Sequence, residues 1–260
     1  MAEKHAIFID IDGTLIGGSF RVPKENIDTL RRAQEAGHKV FINTGRSWGN
    51  IPEDLRRAIS FADGIVCGNG CHLILGGREY YKKFIPVKTL KKIIDYIEDY
   101  PEIWCVFEGE NELFGKEDLK KTRGDMDEKI PIVSAEHFEK NHADCGIEVV
   151  AMGRTLPEEF EKVFEGELNV FRLETYADCV AYDCSKAKGM LEAMKWAGVD
   201  AAHTIAIGDS ENDRSMLEIA GTAVVMGNAP DEIKKIADFV TLSNKEAGVA
   251  YAVKHLLFKE

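Results

Sequence analysis

A short apolar segment near the start of the chain ends in two closely spaced carboxylates. Residues 7–9 form an apolar run of strand length, and Asp10, Asp12 and Gly13 follow them. The glycine lets the backbone turn sharply, so we expect the acids at the carboxyl end of a strand, where open α/β sheets bind ligands. Two neighbouring acids repel each other and resist ionisation, which indicates a bound cation, acid–base chemistry or both.

Two simpler interpretations compete with a ligand site in this segment. Asp and Gly are common turn residues, so an ordinary surface turn stays open at this point. A calcium loop also begins with Asp-x-Asp, but the twelfth position of such a loop carries Glu. Counted from Asp10, that position is Arg21, which excludes a calcium loop.

The charge of the chain restricts the class of ligand. The 260 residues, enough for one large or two modest domains, carry a formal net charge of −12. Residues 83–185 hold 24 acidic and 13 basic side chains, so most of the excess lies in this middle segment. An acidic protein repels nucleic-acid backbones and anionic membranes. We therefore expect a small-molecule substrate, no nucleic-acid partner and no membrane partner.

The hydropathy of the chain predicts a cytoplasmic protein. Residues 1–5 lead directly into the first apolar run and lack the apolar segment of a signal peptide. No apolar run approaches the ~18 residues that a membrane helix needs.

A second strand follows the first after one predicted helix. Residues 23–37, which begin with Pro and end with Gly, have the pattern of a helix, and the apolar residues 40–42 follow. Such a strand–helix–strand unit is parallel and right-handed, so Thr44 should lie at the same sheet edge as Asp10. The Thr44 hydroxyl and the Gly45 N–H would form an anion cradle there. A helix cap and turn is the simpler alternative.

Two later segments carry further charged side chains to a predicted strand end and a helix start. The apolar residues 204–207 run into a polar segment that contains Asp209 and Asp213, which repeats the design of the opening segment. Ser185 is a typical N-cap, and Lys188 lies in the first turn of the helix that follows. A lysine there faces the unfavourable positive end of the helix dipole, but a solvated surface lysine is the ordinary alternative.

The middle of the chain has a different pattern. A helix followed by two strands is predicted twice, at residues 90–97, 103–107 and 112–114 and again at 160–164, 169–173 and 179–182. Residues 118–151, between the two sets, are predicted as an irregular insert. We expect an inserted α+β domain at residues 83–185, between the core segments 1–82 and 186–260.

The charged residues follow an order that resembles a known family. The chain resembles the haloacid dehalogenase (HAD) superfamily of phosphohydrolases in the order of Asp10 with Asp12, Thr44 with Gly45, Lys188, and Asp209 with Asp213. The motifs DIDGTL, TGR, KG and GDSENDRSML are most similar to those of its Cof-type, sugar-phosphatase-like group with class IIB caps. The resemblance covers the whole chain. It implies an α/β fold, with a Rossmann-like parallel sheet core (the HAD fold) and an inserted α+β cap domain built from αββ units.

The resemblance also implies an enzyme, a Mg²⁺-dependent phosphatase of small phosphorylated metabolites, above all sugar phosphates. Asp10 would attack the phosphoryl group and form an aspartyl phosphate, and Asp12 would serve as general acid and then as general base. Lys188 would stabilise the transferring oxygens. The Mg²⁺ cofactor would be held by the carboxylates of Asp10 and Asp209 and the backbone carbonyl of Asp12, with Asp213 in or next to its shell.

Substrate contacts are implied beside these groups. Thr44 and the Gly45 N–H would bind phosphoryl oxygens, Arg46 would contact the substrate, and Asn212 would help to hold this corner of the site. The inserted domain would select the leaving group, and its candidate contact residues are Glu108, Arg172 and Glu174.

Three other functions stay open at the level of sequence. A phosphomutase or phosphotransferase of the same fold, like the phosphomannomutases, would form the same Asp10 intermediate but pass the phosphoryl group to a sugar. A phospho-accepting signalling domain carries similar acids on a parallel sheet, but it is much shorter and has no inserted cap. A non-catalytic metabolite sensor would normally lack a catalytic carboxylate, whereas Asp10, Asp12, Lys188 and Asp209 are all present. The sequence predicts no oligomeric state.

Overall fold

The computed structural model of the protein describes residues 4–17, 21–110, 112–115, 134–140, 146–153 and 156–260. The chain forms two compact units. The first comprises Met1–Gly45, Pro52–Tyr81 and Ser185–Glu260, and the second comprises Arg46–Ile51 and Lys82–Cys184.

The described residues form thirteen strands and nine α-helices. The strands are β1 (Ala6–Ile9), β2 (Lys39–Asn43), β3 (Gly64–Cys67), β4 (His72–Leu75), β5 (Arg78–Lys82), β6 (Cys105–Gly109), β7 (Leu113–Gly115), β8 (Ile147–Gly153), β9 (Leu168–Arg172), β10 (Tyr176–Ala181), β11 (Thr204–Gly208), β12 (Thr222–Val225) and β13 (Phe239–Val240). The helices are α1 (Lys24–Glu35), α2 (Glu53–Ala58), α3 (Val87–Glu98), α4 (Ala135–Lys140), α5 (Phe160–Val163), α6 (Lys186–Ala197), α7 (Arg214–Ile219), α8 (Asp231–Lys234) and α9 (Gly248–Val253). None of these helices is long and apolar enough to cross a bilayer.

The first unit is built on an eight-stranded sheet in the order β13-β12-β11-β1-β2-β3-β4-β5. The six strands from β13 to β3 pair in parallel, and β4 runs antiparallel to β3. Every residue of β1 and β11 is buried, as expected of strands that are covered on both faces. The Phe8 ring of β1 stacks on Phe41 of β2 with the ring centroids 4.8 Å apart. The predicted α/β class with a parallel core sheet is confirmed.

Two helices of this unit begin and end where the sequence predicts. α1 follows Pro23, and Gly37 just beyond its end has a φ of +93°, a conformation that favours glycine. α6 begins after Ser185, whose side chain accepts a backbone N–H of the first turn, and it ends at Gly198 with a φ of +68°. The start of α6 in particular fixes where the first side chains of this helix lie relative to the edge of the sheet.

The second unit contains a five-stranded antiparallel sheet in the order β7-β6-β8-β10-β9. α3 precedes β6 and β7, and α5 precedes β9 and β10, so the two predicted αββ sets are present. The predicted irregular insert at 118–151 is wrong at its end, because Ile147–Gly153 forms the central strand β8 and every residue of it is buried. Residues 118–133 and 141–145 of that prediction lie outside the described residues.

Candidate active site

The carboxyl ends of neighbouring parallel strands bring the predicted acids and the threonine to one edge. Ile9 of β1 pairs in register with Ile207 of β11, and β1 also pairs in parallel with β2. Asp10, just past the end of β1, donates its N–H to the Ile207 carbonyl at 3.0 Å. Asp209 and Thr44 follow the ends of β11 and β2 directly. The predicted shared edge of these residues is therefore confirmed.

Asp10, Asp209 and Asp213 form a carboxylate cluster at this edge, with one oxygen of each within 4.8 Å of the others. Asp10 is 4% exposed and Asp213 is fully buried. Burial, reinforced by the neighbouring acids, raises the pKa of Asp10 well above its ordinary value, against the opposing charge of Lys186. Burial and the charge of Asp213 likewise raise the pKa of Asp209 to about 7. Burial and mutual repulsion therefore disfavour the ionised forms of these acids unless a positive charge lies beside them.

Lys186 supplies the positive charge inside the cluster. Its ammonium donates to Asp10 Oδ1 at 2.6 Å and to Asp213 Oδ1 at 2.5 Å, and its side chain is fully buried. Burial lowers the pKa of this ammonium, but the two carboxylates outweigh burial, so the pKa lies above its ordinary value. The Asn43 side chain donates to the Lys186 carbonyl at 3.0 Å and holds the start of α6. One ammonium faces three carboxylates, and such an excess of hard oxygen ligands suits a divalent cation.

The position of Lys186 corrects the prediction for Lys188. The Lys188 side chain is exposed, and its backbone N–H donates to the Ser185 hydroxyl at 3.1 Å. The buried residues of α6 are Lys186, Gly189, Met190, Ala193 and Met194. Residues three and four apart share one face of a helix, whereas a residue two positions away points elsewhere. Lys186 therefore reaches the carboxylates, and Lys188 does not.

The turn after β1 is shaped around Asp209. Gly13 has a φ of +81°, and a Cβ atom at this position would lie 2.2 Å from Asp209 Oδ2. Thr14 donates its hydroxyl to Asp209 Oδ1 at 2.7 Å. Asp12 has an exposed side chain, in contrast to the buried Asp10 two residues before it. The turn thus buries one acid in the cluster and leaves the other at the surface.

Asp213 is tied to the backbone of its own loop. Its Oδ2 accepts the N–H groups of Asp209 at 2.9 Å and of Ser210 at 3.0 Å, while its Oδ1 faces Lys186. Both oxygens of Asp213 are engaged by these donors. Asp213 therefore holds its own loop and Lys186, and Asp10 and Asp209 are the carboxylates of the cluster that could better hold an ion.

The predicted phosphate-binding residues lie at the ends of β2 and β11. Thr44 is buried and donates its N–H to the Val66 carbonyl of β3 at 2.8 Å, and Gly45 follows it half-buried. Asn212 donates its amide to the Asn69 side chain at 3.2 Å. The sequence alone makes Asn69 an ordinary turn residue, and its φ of +50° agrees with a turn. Its position directly after another parallel strand was the signal that places it at this edge.

Arg46 belongs to the second compact unit, together with the rest of Arg46–Ile51. Its guanidinium donates to the Asn50 carbonyl at 2.9 Å. Glu108, buried in β6, accepts the Asn50 side-chain amide at 2.8 Å and the Ser47 N–H at 3.4 Å. Burial raises the pKa of Glu108, and these donors partly oppose that effect. Glu108 therefore holds the segment that follows Gly45, and the substrate role of Arg46 stays a prediction.

The other two candidates of the second unit differ in their surroundings. Arg172 forms a two-pronged ion pair with Glu161, at 2.7 Å for Nε–Oε1 and 2.9 Å for Nη2–Oε2. It also donates to the carbonyls of Leu156 and Pro157, both at 2.8 Å. These partners use its donors inside the unit, so we assign Arg172 a structural role. Glu174 is exposed.

Comparisons with known proteins match the chain over almost its full length. A family model described as haloacid dehalogenase-like hydrolase matches residues 7–253. Phosphatase YwpJ of Bacillus subtilis (strain 168) is 29% identical to this chain over an alignment of 295 residues. The alignment covers 96% of this chain and 99% of that protein. The 5-amino-6-(5-phospho-D-ribitylamino)uracil phosphatase YwtE of the same strain is also 29% identical and covers 96% of this chain and 97% of its own. The solved structure of BT4131, a sugar phosphatase of HAD subclass IIB, has a TM-score of 0.82 at 29% identity and covers 97% of this chain and 98% of its own.

Proposed function

The chain belongs to the haloacid dehalogenase-like hydrolases and is a phosphatase of that family, and we propose that it hydrolyses small, hydroxyl-rich phosphate monoesters with Mg²⁺. Sugar phosphates are the foremost substrates in this proposal, and the cytoplasm is the proposed location. The observation that carries it is the meeting of Asp10, Asp209 and Asp213 around the buried Lys186 ammonium. A carboxylate, a fixed cation and an ion site at one sheet edge are the groups that phosphoryl transfer requires.

The proposed reaction runs in two steps through Asp10. The Asp10 carboxylate attacks phosphorus and forms an acyl phosphate, while the bond from phosphorus to the ester oxygen breaks. Protonated Asp12 donates its proton to that departing oxygen. Ionised Asp12 then takes a proton from water, which attacks phosphorus, releases inorganic phosphate and restores Asp10. Lys186 replaces Lys188 as the proposed cation that stabilises Asp10 and the transferring oxygens, because it touches Asp10 directly.

The donor set fits a hard divalent cation. The Asp10 and Asp209 carboxylates and the Asp12 backbone carbonyl would hold Mg²⁺, with Asp213 beside them. When bound, the ion offsets the repulsion between the Asp10 carboxylate and the substrate's phosphoryl oxygens. The raised pKa values of Asp10 and Asp209 support this assignment, since burial and the neighbouring acids disfavour their ionised forms and a cation beside them would favour those forms.

The substrate class is proposed from charge and from the relatives. Residues 83–185, the proposed cap, carry most of the net negative charge, which disfavours polyanionic leaving groups and suits neutral polyols. BT4131 is named a sugar phosphatase, and YwtE is named for a phosphorylated ribityl compound. Both names describe a phosphate ester on a carbon chain rich in hydroxyl groups. Thr44, Gly45, Arg46 and Asn212 remain the proposed contacts of the phosphoryl group and its neighbourhood.

A panel of phosphate esters tests this function. We expect the protein to release inorganic phosphate from sugar and polyol phosphates faster than from nucleotides. We expect EDTA to abolish the release and added Mg²⁺ to restore it. Hexose phosphates are assayed with and without a sugar bisphosphate activator, because isomerisation of the phosphate without its release would identify a mutase instead. Release that is indifferent to EDTA, or absent from every ester, would contradict the proposal.

Gly13→Ala should disrupt the site through one atom. The added Cβ would clash with Asp209, and the alanine would have to adopt a positive φ. We therefore expect turnover to fall at least about a hundredfold. The matched control is Gly77→Ala, which has a similar φ of +74° but no atom within 4 Å of the new Cβ. That variant should keep wild-type turnover and lose only about 1–2 kcal/mol of unfolding free energy. Equal turnover in the two variants would contradict the close packing of the turn on Asp209.

A further inference from the structure

Two asparagine side chains hold the turn that carries Asp12. Asn228, in the loop after β12, donates its side-chain amide to the Gly13 carbonyl at 2.9 Å. Asn244, in the loop before α9, donates its side-chain amide to the Ile16 carbonyl at 3.1 Å. The contacts thus bind the middle and the end of the turn from segments that lie more than two hundred residues further along the chain.

The two asparagines are also bonded to each other. The Asn244 backbone N–H donates to Asn228 Oδ1 at 2.9 Å. This bond fixes the orientation of the Asn228 amide, because its oxygen is occupied by Asn244 and its nitrogen must then face Gly13. We call Asn228 and Asn244, joined in this way, the asparagine clasp.

The clasp binds two carbonyls of the turn, those of Gly13 and Ile16, whereas the turn's own hydrogen bonds use other carbonyls. Within the turn, the N–H of Leu15 donates to the Asp10 carbonyl at 3.2 Å, and the N–H of Ile16 donates to the Ile11 carbonyl at 3.0 Å. These bonds use carbonyls at the start of the turn. The carbonyl of Gly13 points to the clasp, and glycine is the residue at which a peptide plane rotates most easily.

Asp12 depends on this backbone for its direction. The Asp12 side chain is exposed. The next residue, Gly13, carries the first carbonyl that the clasp binds. Asp12 directly precedes Gly13, so a turn that is loose at Gly13 would let the Asp12–Gly13 peptide rotate and turn the Asp12 carboxyl away from the ester oxygen that it must protonate. We propose that the asparagine clasp is a positioning device for Asp12, an inference that rests on the proposed function.

A selective effect on leaving groups follows from this role. Esters of alcohols, such as hexose phosphates, need a proton on the departing oxygen, whereas p-nitrophenolate leaves without one. For Asn228→Ala and Asn244→Ala in single-turnover measurements, we expect formation of the acyl phosphate to slow about ten- to a hundredfold with a hexose phosphate and less than about threefold with p-nitrophenyl phosphate. Hydrolysis of the acyl phosphate is the same step for both esters, so steady-state turnover would mask this difference. The double variant should lose little more than either single one, since both act on one turn.

The experiment compares these variants with Asp12→Asn and with Gln34→Ala. In the same single-turnover measurement, Asp12→Asn should show this selectivity in stronger form. Gln34 also donates an amide to a backbone carbonyl, that of Phe61 at 2.9 Å, but it contacts no residue of the turn, so Gln34→Ala should keep both activities. Amide hydrogen exchange of Leu15 and Ile16 supplies a second readout that needs no catalysis. Exchange there should accelerate in the clasp variants and stay unchanged in Gln34→Ala.

The outcomes separate the clasp from the proposed function. Equal slowing of acyl phosphate formation with both esters, or no slowing with either, would overturn the positioning role, as would unchanged exchange at Leu15 and Ile16. A wild-type protein that is inert toward both esters, but whose clasp variants show the faster exchange, would reject the proposed function and leave the clasp as the anchor of the turn.

Discussion

Asp10→Asn lowers phosphatase turnover by roughly a thousandfold or more, because the amide cannot attack phosphorus or form the acyl phosphate. The fold should survive this change. Burial disfavours the ionised Asp10 carboxylate, as its raised pKa shows, so a neutral side chain of the same shape removes an unfavourable charge. In the absence of divalent cations we therefore expect the variant to unfold at a temperature equal to or above that of the wild type.

The measurement combines turnover on a hexose phosphate with thermal unfolding in EDTA. Loss of activity in a folded protein identifies a chemical role for Asp10. Full activity of Asp10→Asn on any phosphate ester would show that the nucleophile is assigned wrongly. A large drop in thermal stability would show that the charge of Asp10 is compensated better than its burial indicates.

Lys186→Met lowers turnover by about a hundred- to a thousandfold, the usual effect of removing a fixed group that stabilises transition-state charge. It also removes the only ammonium that faces the buried Asp10 and Asp213 carboxylates among the described contacts. Unpaired buried carboxylates are unfavourable, so we expect a loss of about 3 kcal/mol in unfolding free energy without divalent cations. Mg²⁺ should restore part of this stability, because it neutralises the same carboxylates.

The matched variant for this prediction is Lys188→Met, on the same helix turn. Its side chain is exposed, so we expect wild-type turnover and a stability change within about 0.5 kcal/mol. The pair of variants decides between the two lysines, with kcat and denaturant unfolding as the readouts. The reverse pattern, with Lys188 essential and Lys186 dispensable, would contradict the geometry of α6.

The edge where the acids meet could be predicted from the sequence because it depends on local patterns and one general rule. Residues before Asp10 and before Asp209 form uninterrupted apolar runs, the pattern of strands buried on both faces. Right-handed parallel connections then place their carboxyl ends together. Thr44 follows from the same reasoning, since one helix separates its strand from the first.

The lysine was predicted at the wrong position because a short motif was preferred over helical periodicity. The Lys-Gly pair at 188–189 resembles the family pattern, and it drew the assignment to Lys188. The apolar residues Met190 and Met194, however, lie four and eight positions after Lys186 and mark the buried face of the helix. With Ser185 as the cap, that spacing already pointed to Lys186.

Other features depend on contacts between distant segments and could not be read from the sequence. The sequence offers Glu108 only as a candidate contact of the leaving group, but its side chain is buried and accepts donors from the segment that follows Gly45. Asn228 and Asn244 lie in ordinary turns, and only the folded chain brings them to Gly13. The strand β8 was missed although residue 147 and residues 149–152 form an apolar run of strand length, because this run lies at the end of a segment that was predicted as irregular throughout.

The central claim is that Asp10 becomes phosphorylated, and peptide mass spectrometry tests it most directly. Asp12→Asn should slow hydrolysis of the acyl phosphate more than its formation from p-nitrophenyl phosphate, so the intermediate should accumulate. After reaction with Mg²⁺ and an acid quench, we expect one added phosphoryl group on the peptide that contains residue 10, located on Asp10 itself. The double variant with Asp10→Asn should carry none. Phosphoryl on another residue, or steady turnover on this ester with no phosphorylated peptide, would contradict the account.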